Sequence, residues 1–169
     1  MLTDRMIAAA RLDVDLYEEV EADTGATTQA MTVVVLVALA GGIGALGAGG
    51  GLLGLLMGVI SGLASWAIWA YLTYVIGTKL LSTPETEATW GQLARTTGFA
   101  QSPGLFRVFA FVPVLGPVIV FATTVWQLSA MVVAVRQALD YKSTWRALGV
   151  VIIGFIIQAI VVMPFLLMS

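Results

Sequence analysis

The stretch TTGFAQSPGLFRVFAFVPVLGPV, residues 96–118, decides the architecture. Together with the apolar residues that follow, it makes either one long helix to Val135 or two separate passes. In the second case Pro113, Gly116 and Pro117 turn the chain between them. The same stretch carries Arg107, a charge inside sequence that otherwise reads as hydrocarbon.

The surrounding composition sets the solvent. Of 169 residues, 59% are hydrophobic and 11% charged, with a mean hydropathy of +0.97. Soluble domains carry about 25% charged residues, so the chain reads as an integral membrane protein. Apolar runs extend over about 30–46, 52–77, 99–115, 117–135 and 147–168, separated by a glycine-rich hinge and two polar connectors. Runs of about 20 residues match a hydrocarbon core of roughly 30 Å at about 1.5 Å per residue. The polar connector before residue 99 is read as holding a short amphipathic helix near Trp90 to Arg95.

Positive charge arbitrates between one helix and two. With five spans, seven of the eight basic residues (Arg5, Arg11, Lys79, Arg95, Arg136, Lys142, Arg146) share one side, and the opposite side carries no charge. With four spans that asymmetry dissolves. The positive-inside rule therefore selects five spans, with the N-terminus cytoplasmic and the C-terminus outside. The expected fold is an all-α five-span bundle, residues 30–168, preceded by an acidic cytoplasmic segment, residues 1–29.

That segment holds seven of the ten acids and lacks the basic start of a cleavable signal peptide. Met6, Ala10, Val14, Tyr17 and Val20 recur at helical spacing, which predicts an amphipathic helix. It serves either as a lid on the bundle or as a partner-binding helix. An anionic membrane surface would repel its acidic face.

Polar residues inside the spans are few. Gln127 and Gln158 lie near the middle of the fourth and fifth spans, where an unpaired amide is costly, so they are expected to bond to each other or to backbone. Ser61, Ser65, Thr123, Thr124 and Ser129 can bond to the preceding turn. Gly50, Gly54, Gly58 and Gly62 recur every four residues, either to pack against the first span or as a homo-oligomer seam. Trp66, Trp69, Tyr71 and Tyr74 read as an interfacial belt or as core. Arg136 and Asp140 are spaced for a local ion pair.

Arg107 has two readings. Ser102 suits a helix cap and Pro103 a first helical position, so Arg107 lies about one turn from a cytoplasmic helix start and can snorkel. Alternatively it faces inward and pairs with Asp13, Asp15 or Glu18, or receives an anionic lipid headgroup.

Three motifs carry a family resemblance: DVDLYEEVEAD before the first span, TTGFAQSPGLFRV opening the third, and AVRQALDYKSTWRAL between the last two. In this order they resemble the Yip-one domain family, the Ypt/Rab-interacting membrane proteins. Asp15, Leu16 and Tyr17 match the family's DLY element, and Gly98, Phe99 and Pro103 match its GY…TP element, with Phe99 for tyrosine and Ser102 for threonine. Glu18 and Glu19 replace the YGP continuation, and the cytoplasmic head is short. The resemblance thus implies a compact prokaryotic-type member, in the cytoplasmic (inner) membrane, without the Rab role of the longer eukaryotic heads.

Chemistry narrows the function. Without cysteine or histidine, thiolate nucleophiles, imidazole acid-base chemistry and Cys/His metal sites are excluded. No Ser-His, metal or phosphate-loop pattern appears, so no enzyme, no cofactor and no nucleic-acid role is expected. The first expectation is a scaffold that organises protein partners or lipids through its cytoplasmic face, alone, as a homo-oligomer or as a subunit of a larger membrane complex. The alternative is a small transporter, channel or lipid-translocating protein, against which stands the absence of acids from the spans.

Overall fold

The computed structural model describes the backbone of residues 1–45 and 51–167, and side chains as far as residue 160. The elements are α1 (Leu2–Ala10), α2 (Val14–Ala22), α3 (Ala26–Gly44), α4 (Gly51–Val75) with a closing π turn (Ile76–Leu80), α5 (Trp90–Phe99), a 3-10 helix (Ser102–Phe111), α6 (Leu115–Ala138) and α7 (Thr144–Leu167). No strand occurs among the described residues. Three helices there are long and apolar enough to cross a membrane, Ala26–Gly44, Gly51–Leu80 and Leu115–Ala138. They fall on the first, second and fourth apolar runs, and α7 falls on the last. Most of the glycine-rich hinge, with Gly50, lies outside the described residues.

The N-terminal segment is two helices where one was expected. Leu12 takes a φ of 63°; its N–H donates to the Ala9 carbonyl at 3.0 Å, and the Asp13 N–H donates to the Ala8 carbonyl at 3.1 Å. This is a Schellman stop. Asp13 then caps α2, accepting from the Asp15 N–H at 3.0 Å. The break rotates the stripe: Val14 is 40% exposed, while Ala9 and Leu16 join Met6, Tyr17 and Val20 in the core. The Tyr17 hydroxyl bridges the break by donating to the Ala9 carbonyl at 3.1 Å.

The deciding stretch is broken as well. A capping box between Thr89 and Gln92 starts α5 upstream of the apolar run. This helix does not lie on the surface: Leu93, Ala94, Arg95, Thr96, Thr97, Gly98 and Phe99 are all buried. A continuous helix over 99–115 is not formed, because Pro103 has no N–H to give the Phe99 carbonyl. The Ser102 hydroxyl donates to that carbonyl instead, at 2.7 Å. The chain continues as the 3-10 helix, seated against both α3 and α6.

Close backbone approach permits this seat. A Cβ on Gly98 would lie 2.7 Å from Cβ of Ala30, on α3. A Cβ on Gly44 would meet the Arg107 carbonyl oxygen, and one on Gly116 the Ala110 carbonyl oxygen. The glycine repeat of α4 behaves differently: a Cβ at Gly54 or Gly58 meets nothing within 4 Å, and at Gly62 it meets only Ala38, at 3.3 Å. Among the described glycines of the repeat, packing against the first span therefore holds for Gly62 alone.

Charged groups gather where α3 and α7 begin and where α4 and α6 end. Arg5 of α1 donates to Glu19, Asp23 and Gln29, which ties α1 to α2 and to the start of α3. Gln137 near the end of α6 donates to Glu18 at 2.6 Å. The π turn leaves the Gly77 carbonyl free of its usual partner, and the Tyr141 hydroxyl donates to it and to the Leu81 carbonyl, both at 2.9 Å. Burial pushes the Tyr141 hydroxyl above its ordinary pKa.

These contacts separate two sets of glycines. Gly44→Ala and Gly116→Ala should each destabilise by about 1–3 kcal/mol through overpacking. Gly54→Ala and Gly58→Ala should be neutral or stabilise by up to about 1 kcal/mol, through helix propensity. Thermal unfolding of the four variants in one detergent checks the contrast, and equal losses at all four would contradict it.

Candidate functional site: a polar cavity around Arg107

A cavity of about 300 Å³ opens among α4, the broken α5/3-10 segment, α6 and α7. Its position follows from the break. The 3-10 helix carries Arg107, Gln101 caps that helix, and Thr124 and Gln127 share one face of α6 at a spacing of three. Gln158 enters from α7 and Ser65 from α4. The apolar wall is aromatic: Trp69 packs against Phe155 with ring centroids 4.5 Å apart and directs its indole N–H to the Met131 sulfur at 3.1 Å. Trp66 donates to the Ala94 carbonyl at 3.0 Å. Both tryptophans are thus core groups, while Tyr71 is exposed.

Arg107 does not snorkel, and it does not pair with the N-terminal acids. It reaches α6 midway along its length, where one terminal nitrogen donates to Gln127 Oε1 at 2.8 Å and to Thr124 Oγ1 at 3.3 Å. Its Nε is buried with no partner among the described residues. Asp13 is occupied as a cap, Asp15 is exposed and Glu18 accepts from Gln137. Arg107 and Thr124 also border a second space of about 660 Å³, between α3, the 3-10 helix and α6.

The expected Gln127–Gln158 bond is replaced by the Arg107–Gln127 bond. Gln158 lines the cavity, and its side chain makes no hydrogen bond among the described residues. Thr123, Thr124 and Ser129 bond to carbonyls four residues back, at 2.7, 2.7 and 3.0 Å, as expected. Arg136 does not pair with Asp140. Asp140 takes a φ of 53° as the left-handed residue of a second Schellman stop, and Arg136 donates to the Tyr141 carbonyl at 3.2 Å. Of the motif residues, Leu16, Tyr17, Gly98 and Pro103 are buried packing positions.

Two residues escaped the sequence. Arg95, 7% exposed, donates through Nε to the Val20 carbonyl at 2.8 Å and through a terminal nitrogen to the Glu21 carbonyl. Glu21, 9% exposed, accepts from Gln92 at 2.8 Å. Burial, and after it Asp140 and Glu18, push the Glu21 carboxyl up to about 7 against the smaller pull of Arg95 and Gln92. The TxxQ box at Thr89 was the available signal for α5; its burial had none.

Comparison with known families matches the Yip1 domain over residues 15–166. No curated protein and no solved structure matches the chain. The matched residues run from the first turn of α2 into α7 and include the broken segment and every polar residue of the cavity. This protein is a membrane protein that belongs to the Yip1 domain family.

Proposed function

We infer that the chain is a non-enzymatic scaffold that organises protein partners or lipids through its charged end, which faces the cytoplasm. The observation that carries this is the ordered cap of α1 and α2, tied together by Arg5, held to the buried α5 by Gln92 and Arg95, and held to the end of α6 by Gln137. A surface held this firmly is a recognition surface at low entropic cost. Asp13, Asp15, Glu18 and Glu19 lie exposed on it, complementary to a basic partner.

In this reading the chain crosses a prokaryotic inner membrane five times, with the N-terminus inside. The third crossing is the α5/3-10 pair: ten α and ten 3-10 residues would together reach about 35 Å end to end, against a core of roughly 30 Å. A second reading, movement of a lipid or solute, is favoured by one observation, that Arg107 and Thr124 border both the cavity and the open groove between α3, the 3-10 helix and α6. Assembly as a homo-oligomer or within a larger complex is compatible with either.

Three measurements follow. Native purification with identification of co-purifying proteins tests the scaffold; it should recover a partner with a basic contact surface, weakened or lost when the exposed Asp15 is changed to lysine. Reconstituted protein that moves lipid or solute faster than empty vesicles would favour the second reading. Because the chain has no cysteine, Ser82→Cys and Val114→Cys can be labelled singly in intact cells: Val114→Cys should react with an impermeant reagent and Ser82→Cys only after lysis. Labelling of both from one side would overturn the five-span map.

Glu21 adds a pH dependence to the cap. With its folded pKa near 7 and an ordinary value near 4.5, the folded chain keeps a proton that the unfolded chain has released between those values. Stability therefore falls as pH rises from about 4.5 to about 7 and levels off above. Glu21→Gln should gain about 1–2 kcal/mol at pH 8 and much less at pH 5; a gain independent of pH would show that Glu21 is not the titrating group.

A further inference from the structure

Four ion pairs occur among the described residues, and Arg107 is in none of them. All ten acidic side chains lie within residues 4–23, 85–87 or at 140, and none of them pairs with Arg107. Its described partners are two neutral oxygens, and its Nε is buried and idle. A guanidinium left so in a membrane domain carries a desolvation cost that neutral oxygens only partly offset.

The cavity beside it carries amide and hydroxyl groups that can donate, and each of these can also accept. Gln127 spends its carbonyl oxygen on Arg107, which leaves its amide NH₂ to donate. Gln101, Gln158 and Ser65 line the same space without a side-chain hydrogen bond among the described residues. At about 300 Å³ the space is roughly tenfold the share of one water, ~30 Å³. A cation, several donors and no acid make a complement for an oxyanion, whose oxygens accept several N–H bonds at once.

We propose that the Arg107 cavity binds a phosphate-type oxyanion, held by the guanidinium and by the amides of Gln127 and Gln158. The aromatic and apolar wall of Trp69, Met131 and Phe155, within a bundle of membrane-length helices, makes the phosphodiester of an anionic lipid its ready source; free phosphate is the other. This goes beyond the scaffold reading, which uses the charged end and not this cavity.

The test is ligand-dependent thermal stability of the purified full chain in an uncharged maltoside detergent and chloride buffer. The probes are a short-chain phosphatidylglycerol and inorganic phosphate, with added maltoside as the uncharged control. The lipid should raise Tm by at least about 3 °C at saturation. A rise with the lipid alone identifies a lipid site, and a rise with phosphate as well identifies a site open to free anions. No rise with either overturns the proposal.

Arg107→Gln should abolish the rise while keeping or raising the ligand-free Tm, since a structural arginine would instead lower it. An undiminished rise in that variant overturns the proposal. Should Arg107→Gln not fold, Gln158→Leu should weaken the apparent affinity about tenfold, and an unchanged affinity counts against the cavity. Lys142→Gln, at the exposed cation of the charged end, should respond as the unmodified chain does. Loss of the response there would place binding on the surface and overturn the proposal. Failure of these arms leaves partner capture at the charged end untouched.

Discussion

Arg95 holds the structure together at its least expected point. Its guanidinium is buried against the carbonyls of Val20 and Glu21, at the end of α2, where unpaired carbonyls and the negative end of the helix dipole both favour a cation. That contact brings a polar helix, α5, into the middle of an apolar bundle. The other polar groups of α5 are then satisfied locally: Thr96 and Thr97 return their hydroxyls to Gln92 and Leu93, and Gln92 reaches Glu21. Removing the guanidinium would leave two buried carbonyls unpaired, and with them the attachment of the N-terminal layer.

Once α5 is inside, the break at Gln101 follows. A helix that enters the bundle at Trp90 reaches Pro103 within about four turns, and proline ends the α ladder there. Non-helical or tightened backbone is tolerated at membrane depth where it is enclosed by protein or lines a cavity. Here the 3-10 helix packs on α3 and α6, with Gly44 and Gly116 admitting its carbonyls, one side exposed at Phe106, Phe109 and Phe111, and its inward side open on the Arg107 cavity. The two arginines of this segment therefore differ by design of their surroundings. Arg95 meets oxygens that need it; Arg107 meets oxygens too few and too weakly charged to use it fully.

Much was legible from residue types. The four long runs of apolar residues are helices within a few positions, because hydrocarbon continuity and the 1.5 Å rise constrain length before any packing is known. The hydroxyls of Thr123, Thr124 and Ser129 bond to the preceding turn, as local geometry dictates. The helix stripe from Met6 to Val20 and the Arg136–Asp140 pair rest on spacing along a regular helix, and the Gln127–Gln158 bond rests on the cost of an unpaired amide at mid-span. Leucine at 12 and aspartate at 140 adopt left-handed conformations that end those helices, and Gln127 finds a cation nearer than its amide partner. Glycine spacing marks one face of α4 without saying what that face meets: within the chain Gly54 and Gly58 meet nothing within 4 Å, and Gly62 meets Ala38.

The amino-acid sequence by itself determined the solvent, the helical class, the family and the exclusion of thiol and imidazole chemistry, because each depends on composition or on short ordered motifs. Only the tertiary structure decided where charge is buried. Whether a polar segment such as QLARTT lies on a surface or inside a bundle depends on partners seventy or more residues away, the distance that separates Arg95 from Val20 and Glu21. Burial of a charge is set by the balance of desolvation against those partners, and that balance does not exist until the helices have met.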